Sequence, residues 1–466
     1  MQEEIFFYFT SDLHSYFDNW PKIVHFLNQR VIERKNKNQS YYILDNGDHI
    51  DRMNPITEAL KGKGNVELLN EAHYHVVTLG NNEGITLTKK ELYQLYDQAE
   101  FSVVCANLFS RIDPNPSWLK PYEILITNSG VRIAVIGLTA PFTAFYNPLA
   151  WDIDDPFVTL SKYIKEIEEN SDIILLLSHL GIDQDEMIAE QFPEIDVIIG
   201  GHTHHLFEIE EHRNQSILTA VGKSGFYVGE IQLSWDHDTQ SLVGKKAAAH
   251  PVPDGLEDSK TTELLNKQRL TTKRIMNKEV VTLTRPLEVD WFKETYLIKQ
   301  LVHTLKNWTN ADAAMLNAGI LLGGFDQGIV TELDVHKNCP HPINPCLVVI
   351  TGQELLEIVR AGLTKAYQQN HVKGYGFRGK VMGTLVYADI DFELEHDDEG
   401  KAYVESLWIG NEPLNVKKKY RLATADMFTF GHLSPQISRA QSKKFFMPEF
   451  MRDLLKVTLK EIAEKS

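Results

Sequence analysis

The sequence predicts an α/β protein of two domains, and three observations carry this prediction. Its 466 residues are about three times the roughly 150 of a typical domain, so two or three domains are expected. In the first half, short β-branched and aromatic runs alternate with helical periodicities, as in a sheet covered by helices. A polar stretch then separates this half from a second set of strands and helices.

The elements of the first half follow from their patterns of apolar residues. Strands are indicated by short apolar runs bounded by polar turn residues, and helices by apolar residues three or four positions apart. The predicted strands are residues 5–9, 41–44, 75–79, 101–105, 131–138, 173–177 and 197–199. The predicted helices are residues 20–34, 89–98, 160–169 and 186–191.

The boundary between the two halves is predicted near residue 250. The strand pattern weakens after residues 228–234, and a polar stretch follows that contains Pro251, Pro253 and Gly255 and then charged helix formers. We therefore expect a first domain over residues 1–250, a connector over 251–280 and a second domain over 281–466. The elements predicted in the second domain are helices at 292–308, 353–369 and 449–464 and strands at 347–350, 383–392 and 421–424.

Composition excludes several classes of protein. The 47 Lys and Arg against 64 Asp and Glu give a net charge of −17, which has the wrong sign for a nucleic-acid binder. The longest apolar run, near residues 173–177, is far shorter than the roughly 20 residues of a membrane span. Glu3 and Glu4 stand where a secretory signal carries basic residues, and three cysteines suit a reducing compartment. We expect a cytoplasmic protein without nucleic-acid or membrane partners.

Residues able to bind metal cations follow five of the predicted strands. Ligands of α/β proteins bind beyond the carboxyl ends of the strands, because the loops meet there. Carboxylate, amide and imidazole groups together suit a pair of divalent cations that clamp a phosphoryl group. The seven candidate ligands are Asp12, His14, Asp48, Asn81, His179, His202 and His204.

The ordered motifs Asp-x-His, Gly-Asp, Gly-Asn, Ser-His and Gly-His-x-His resemble those of the calcineurin-like dinuclear metallophosphoesterases. Within that superfamily, the chain is similar to the two-domain 5′-nucleotidase and UDP-sugar hydrolase family. The motifs cover residues 5–204, whereas the second half is similar in layout. The resemblance implies a four-layer αββα domain followed by an α/β domain of the 5′-nucleotidase C-terminal type.

The resemblance also implies two divalent metal ions, which could be Mn, Zn, Fe or Co, and an assignment of their ligands. Position 1 would use Asp12, His14, Asp48 and His204, and position 2 would use Asp48, Asn81, His179 and His202. Asp48 would bridge the two. The implied reaction is hydrolysis of a phosphate ester or anhydride of a small molecule, a nucleotide or a nucleotide derivative, by metal-activated water in nucleotide breakdown.

The third motif departs from the family. The family has Gly-Asn-His-Glu followed two residues later by Asp, and its His-Asp pair stabilises the transition state or protonates the leaving group. Here the segment from residue 80 is Gly-Asn-Asn-Glu-Gly-Ile, so Asn82 and Ile85 replace the pair. Asn82 can donate a hydrogen bond to a phosphoryl oxygen but cannot deliver a proton.

Three explanations of this loss remain open. Substrates with good leaving groups need little acid catalysis. Another residue could supply the proton, with His49, His73 or His75 as candidates. Turnover could also be weak, in which case the protein is a metal-dependent nucleotide-binding or regulatory protein. Asn82 and Arg52 are the candidate hydrogen-bond donors to the phosphate.

In the second domain, the resemblance implies a site for the nucleoside. Asn317 and Gly319 retain part of the family's Asn-Gly-Gly-x-x-Arg segment, without its arginine. Phe377 and Phe430 are the candidate rings that would stack on a base, and core packing explains them equally well. Arg378 is a candidate contact for a phosphate group.

Overall fold

The computed structural model describes residues 1–396 and 402–465 of the chain. These residues form two compact units, Met1–Thr272 and Lys273–Ser466, each with its own hydrophobic core. The two-domain α/β architecture predicted from the sequence is therefore confirmed. The segment predicted as a connector contains the helix Ser259–Met276, in which Thr261 donates to Glu71 (2.6 Å) and Gln268 to the Gly64 carbonyl (3.1 Å).

The first unit contains two large sheets. The first sheet has seven strands, of which the first five along the chain are parallel and the last two are antiparallel. From edge to edge, its strands are Ser241–Pro251, Tyr227–Asp236, Gln2–Thr10, Ser40–Asp45, Val76–Thr78, Ser102–Val104 and Leu119–Lys120. Two of these strands contain the whole of the runs predicted at 5–9 and 41–44. Two others contain the central three residues of the runs predicted at 75–79 and 101–105.

The second sheet has six strands, and its four central strands are parallel. From edge to edge, its strands are Glu211–Arg213, Ser216–Thr219, Val197–Gly200, Ile173–His179, Arg132–Thr139 and Tyr122–Ile126. A further antiparallel pair joins Leu108–Ser110 to Trp151–Ile153.

The two sheets pack face to face and have helices on their outer faces. Because side chains alternate along a strand, Ile5 and Phe7 lie in the core between the sheets, together with Val135 of the second sheet. Phe6 lies on the outer face, beneath the guanidinium of Arg34 in a covering helix (3.9 Å to the ring centroid). This is the four-layer αββα arrangement that the resemblance implies.

The helices of the first unit vary from single turns to five turns. The outer face of the second sheet packs on the helix Pro156–Asn170 through Leu160 and Ile164. The remaining helices are Trp20–Asn36, Pro55–Leu60, Lys63–Glu71, Asn81–Ile85, Lys89–Tyr93, Thr143–Tyr146, Ile182–Gln191 and Ser259–Met276, with a 3-10 turn at Asn147–Leu149.

The second unit is built on a five-stranded mixed sheet. From edge to edge, its strands are Leu385–Ala388, Ala313–Asn317, Lys419–Ala425, Pro345–Thr351 and Lys443–Phe445. Two smaller sheets contain Glu279–Leu283 and Gly328–Thr331, and Ile390–His396, Ala402–Ile409 and Glu412–Pro413. Its helices are Tyr296–Thr309, Glu332–Asn338, Gly352–Gly362, Lys365–Gln368, Pro435–Ser438 and Met451–Glu464, with 3-10 turns at Ala318–Ile320 and Asp426–Thr429.

Two predicted elements of the second unit are each divided in the structure. The helix predicted over residues 353–369 ends at Gly362 and begins again at Lys365. The strand predicted over 383–392 is interrupted at Asp389, whose left-handed backbone (φ 57°) turns the chain from one sheet into another. Within the described ranges, no helix combines the length and the apolar character needed to cross a bilayer.

Asp426, in the second unit, provides a test of stability against pH. Burial raises the pKa of its carboxyl to about 8, although the N–H groups of Asn344 and Met427 oppose this shift. Because this folded-state pKa is raised, the stabilising contribution is fully present below about pH 4 and is lost as the pH rises to about 8. We expect Asp426→Asn to gain stability relative to the wild type between pH 5 and pH 8, by at most about 1.4 kcal/mol per pH unit. Urea unfolding at both pH values measures this gain, and a difference that does not change with pH would contradict it.

Candidate metal centre

The first two loops at the carboxyl ends of the strands run side by side. The backbone N–H of Asp12 donates to the Gly47 carbonyl (3.0 Å), and that of His14 donates to the Asp48 carbonyl (2.8 Å). The next N–H, of Ser15, donates to the His49 carbonyl (3.0 Å). These bonds place the side chains of Asp12 and His14 beside that of Asp48.

Two glycines allow the second and third loops to meet. Gly47 has a φ of +86°, and a Cβ on it would lie 2.2 Å from the backbone nitrogen of Gly80. A Cβ on Gly80 would lie 2.0 Å from Oδ1 of Asp48. A side chain at either position would therefore push the loops apart and displace Asp48.

Five of the seven candidate ligands have a left-handed backbone, which non-glycine residues adopt only in a few per cent of cases. Such conformations persist where the surrounding structure holds them, and they concentrate at functional sites. The five are Asp12 (φ 51°), His14 (φ 49°), Asp48 (φ 49°), His202 (φ 67°) and His204 (φ 58°). This concentration supports a functional site at this edge of the sheets.

The side chains proposed for position 1 lie together. Nε2 of His14 is 3.1 Å from Nε2 of His204, 3.7 Å from Oδ1 of Asp12 and 3.7 Å from Oδ2 of Asp48. Oδ1 of Asp12 is 3.4 Å from Nε2 of His204. Asp12, His14 and His204 thus form one group whose ligand atoms could hold a cation.

The side chains proposed for position 2 also lie together. Nε2 of His179 is 3.4 Å from Oδ2 of Asp48 and 3.8 Å from Oδ1 of Asp12. These three residues form a second group that could hold a cation. Oδ1 of Asn81 is 2.8 Å from Nδ1 of His202, and the rings of His202 and His179 are 5.5 Å apart between centroids.

His179 tests whether these residues suit a metal ion. Its Nδ1–H donates to the backbone carbonyl of Asn46 (2.8 Å), so Nε2 is the ring nitrogen that faces the cluster. This Nε2 is buried, has no hydrogen-bond partner, and faces the carboxylates of Asp12 and Asp48. Burial lowers the pKa of His179, but the carboxylates of Asp48 and Asp12 outweigh burial and raise it to about 10. Positive charge is therefore favoured at this point, which a divalent cation supplies on replacing the proton, so the residues fit one.

The charges of the cluster depend on one another. Burial raises the pKa of Asp48, but the imidazoles of His179 and His14 and the N–H of Asn82 outweigh burial and lower it below its usual range. Burial lowers the pKa of His202 to about 4, and the neighbouring His179 acts in the same direction. His202 is therefore neutral at pH 7, which is the form that binds metal.

Glu83 and Asp51 support the ligands, and the sequence analysis did not select them. The buried carboxylate of Glu83 accepts from three backbone N–H groups, those of Asp48 (3.0 Å), Ile50 (2.9 Å) and Gly80 (2.9 Å). Oδ2 of Asp51 lies 3.6 Å from Nδ1 of His14. The signal for Glu83 is its place three residues after Gly80, which is the spacing of a helix capping box.

In the second unit, two predicted substrate contacts are buried. Asn317 is fully buried and donates to the Met382 carbonyl (2.9 Å), and its Oδ1 has no partner among the described residues. Phe377 is only 3% exposed and stacks on His341, with 5.0 Å between ring centroids. Phe377 thus lies in the core and is not placed to stack on a substrate, which corrects the stacking role considered for it.

The second unit also presents a partly exposed aromatic pair, Tyr375 with Phe430. Their rings are nearly parallel, at 5°, with centroids 6.3 Å apart, and Tyr375 is 41% exposed. Arg378 lies three residues after Tyr375 and is half-buried. Its backbone N–H donates to Nδ1 of His341 (2.9 Å), and its guanidinium donates to the Phe377 carbonyl (3.2 Å). Tyr375 carries no sequence motif that would single it out.

Comparison with known proteins agrees with this geometry. Residues 7–206 match the calcineurin-like phosphoesterase family, and residues 275–433 match the C-terminal domain of 5′-nucleotidases. An uncharacterized metallophosphoesterase of Bacillus subtilis (strain 168), YunD, is 41% identical over 98% of this chain and 99% of its own length. The chain belongs to the calcineurin-like metallophosphoesterases. This confirms the family predicted from the motifs.

More distant relatives share the architecture of this metallophosphoesterase. A 5′-nucleotidase of Vibrio parahaemolyticus is 23% identical, over 82% of this chain and 74% of its own. The structure of the NAD nucleotidase of Haemophilus influenzae matches with a TM-score of 0.69 at 17% identity, over 99% of this chain and 97% of that one. A putative 5′-nucleotidase of Staphylococcus aureus matches with a TM-score of 0.69 at 19% identity, over 98% and 97%. These two structures establish the fold alone.

Membership in this family makes the chain a phosphohydrolase that depends on divalent metal, which is the predicted enzyme class.

The candidate catalytic groups of the metallophosphoesterase are placed as follows. Arg52 is buried and forms an ion pair with Glu58 (2.8 Å), and it also donates to the Thr86 carbonyl (2.5 Å). Nδ2 of Asn82 donates to Nδ1 of His14 (3.0 Å).

His49 does not have the protonation that a general acid requires. It is 2% exposed, packs edge-on against Trp20, and accepts at Nδ1 from the amide Nδ2 of Asn65 (3.1 Å). Burial lowers the pKa of His49 to about 3, so the ring is neutral at pH 7. His75 accepts the backbone N–H of Ile43 within the sheet. The role of proton donor for His49 stays a prediction, and a buried, neutral ring does not favour it.

Proposed function

We propose that this metallophosphoesterase hydrolyses nucleotide phosphoanhydrides at a centre of two divalent cations. The observation that carries the proposal is the placement of Asp48. Its Oδ2 lies between Nε2 of His14 (3.7 Å) and Nε2 of His179 (3.4 Å), where one carboxylate can serve both position 1 and position 2. The reaction class rests on the family, and the two-cation centre is our proposal.

Cations bound at these positions would polarise the phosphoryl oxygen and supply a nucleophilic hydroxide at neutral pH. The contribution of the chain is to hold the ligands in the required forms. Asp48 would offer Oδ2 to the cations, since its Oδ1 accepts the backbone N–H of Asn82 (2.8 Å). The Asn46 carbonyl holds the Nδ1 proton of His179 and leaves Nε2 facing the cations, and burial keeps His202 neutral.

The preference for an anhydride follows from the groups around the centre. Asn82 cannot deliver a proton, its amide is engaged with His14 and with the Ile50 carbonyl (3.1 Å), and His49 is neutral. A simple ester needs its alkoxide leaving group protonated, and the loss of a positioned acid typically costs about 10²- to 10⁴-fold in rate. A phosphate leaving group from a nucleoside di- or triphosphate is stable as an anion and needs no such acid.

The second unit supplies the group that favours nucleotides over other anhydrides. The parallel rings of Tyr375 and Phe430 are 6.3 Å apart between centroids. A base between them would need ring planes about 7 Å apart, twice the roughly 3.5 Å of a van der Waals contact, so the two rings have to open to admit one. We propose that these two rings stack a nucleobase, which is worth about 1–3 kcal/mol per base.

We expect Tyr375→Ala and Phe430→Ala to raise the KM for ADP by about 5- to 100-fold in the metal-loaded protein, because each removes one stacking surface. The KM for acetyl phosphate, an anhydride without a ring, should not change. Phe292→Ala removes an exposed aromatic side chain elsewhere in the second unit and serves as the control. Phosphate release is measured for ADP, AMP and acetyl phosphate. Equal effects on ADP and acetyl phosphate would overturn base stacking, and tight ADP binding without phosphate release would favour the regulatory alternative.

A further inference from the structure

The two ring nitrogens of His14 face different surroundings. Nε2 points into the cluster of ligands, 3.1 Å from Nε2 of His204. Nδ1 lies on the other edge of the ring, 3.0 Å from Nδ2 of Asn82 and 3.6 Å from Oδ2 of Asp51. Two different side chains therefore compete for the same nitrogen, and each favours a different form of the imidazole.

The orientation of the Asn82 amide follows from its other partners. Its Nδ2 also donates to the backbone carbonyl of Ile50 (3.1 Å), which can only accept. Its Oδ1 accepts from Nδ2 of Asn81 (3.3 Å). An amide turned by 180° would place Oδ1 against the Ile50 carbonyl, two acceptors facing each other. Asn82 therefore presents an N–H donor to Nδ1 of His14.

This donor opposes metal binding by His14. A neutral imidazole carries one proton, so a lone pair on Nδ1 leaves the proton on Nε2, the nitrogen that faces the cluster. Ligation through Nε2 requires the proton on Nδ1, where it would meet the N–H of Asn82. Asp51 offers the acceptor that this proton needs, and its other oxygen accepts the backbone N–H of Met53 (2.8 Å).

His179 provides the contrast at position 2. Its Nδ1–H donates to the Asn46 carbonyl (2.8 Å), and no donor competes at that nitrogen among the contacts that the structure describes. The Nδ1 proton of His179 therefore already has the acceptor that ligation through Nε2 requires, whereas Nδ1 of His14 faces an N–H donor. The two cation positions are thus prepared to different extents by the chain itself.

We infer that Asn82 and Asp51 are opposing positioning residues, which make position 1 the weaker and more readily exchanged cation position. Asn82 stabilises the form of His14 that cannot bind a cation through Nε2, and Asp51 stabilises the form that can. This inference rests on the metal centre of the proposed function. It also gives residue 82, where the family has a catalytic histidine, a different task in this chain.

The inference predicts changes of opposite sign for two residues that touch the same nitrogen. Metal-depleted protein is titrated with Mn²⁺ by calorimetry, and bound metal is counted by elemental analysis. We expect two affinities in the wild type. Asn82→Ala should tighten the weaker affinity by about tenfold, and Asn82→Ser serves as a second variant with the same expected result. Asp51→Asn should weaken that same affinity by about 10- to 100-fold. The tighter affinity should change less than the weaker one in Asp51→Asn.

The controls separate this effect from general damage to the loops. Gln268→Ala removes a buried amide that donates to the Gly64 carbonyl (3.1 Å) and to Glu67 (2.9 Å) and to no candidate ligand, and it should leave both affinities unchanged. Circular dichroism verifies that each variant is folded. If the Asn82 variants bind Mn²⁺ more weakly at position 1, as Asp51→Asn is expected to, the inference is overturned. A merely structural role would weaken binding in the Asn82 variants and in Asp51→Asn alike. A wild type that binds a single ion would overturn the proposed function as well.

Discussion

Asp48→Asn is expected to lower hydrolysis by about 10²- to 10⁴-fold and to reduce the bound metal below two ions per chain. The Oδ2 of Asp48 lies 3.7 Å from Nε2 of His14 and 3.4 Å from Nε2 of His179, and Oδ1 of Asp12 lies 3.7 and 3.8 Å from the same two nitrogens. A neutral amide does not bridge two divalent cations, so the change weakens both positions. Metal-ion stabilisation of a phosphoryl transition state is worth several kcal/mol, and each 1.4 kcal/mol is a factor of ten in rate.

The matched control for this variant is Asp45→Asn, three residues earlier at the end of the preceding strand. Asp45 is fully buried, accepts from the hydroxyl of Thr10 (2.6 Å) and the N–H of Gly47 (3.1 Å), and burial raises its pKa well above the usual range. Because burial favours the neutral form of Asp45, an amide there changes the charge less than it does at Asp48. Phosphate release from ADP and metal content are measured for both variants. Hydrolysis that survives intact in Asp48→Asn would exclude the two-cation mechanism.

The sheets of the first unit were predictable because their strands are short and almost wholly apolar. The runs at 173–177 and 197–199 lie within the strands Ile173–His179 and Val197–Gly200, which are buried on both faces. A buried parallel strand leaves its own mark in the sequence, independent of its partners. The candidate ligands were selected for the same reason, since they follow immediately after such strands.

Helical spacing was a less certain guide. The helix predicted over residues 89–98 ends at Tyr93, although Leu92, Leu95 and Tyr96 are all buried. Apolar residues spaced three and four apart are compatible with a helix and also with a series of turns that buries the same side chains. The structure uses turns here, so the periodicity was correct about burial and wrong about the conformation.

The supporting groups of the site could not be predicted because they depend on how separate loops meet. Asp51 comes close to His14 only when the loop after the second strand pairs with the loop after the first strand. Tyr375 contacts Phe430 although more than fifty residues separate them in the sequence. The side-chain orientation of Asn82 depends on the Ile50 carbonyl. None of these contacts has a local pattern, whereas each candidate ligand has one.

Glu83→Ala is expected to destabilise the first unit by about 3–5 kcal/mol and to weaken metal binding with it. The side chain of Glu83 is 1% exposed and accepts the backbone N–H groups of Asp48, Ile50 and Gly80. Each buried donor left without a partner costs about 1–3 kcal/mol, and relaxation of the loops recovers part of the sum.

Glu91→Ala distinguishes this role from ordinary helix capping. Glu91 accepts the backbone N–H of Thr88 (2.9 Å) in a capping box on a partly exposed helix, and its loss should cost only about 1 kcal/mol. Urea unfolding and Mn²⁺ titration are compared for the two variants. Because Glu83 holds the backbone of Asp48 itself, only Glu83→Ala should lose metal affinity at a temperature where both proteins are folded. Equal losses of stability and unchanged metal affinity in the two variants would show that Glu83 is a helix cap and not a clamp on the bridging ligand.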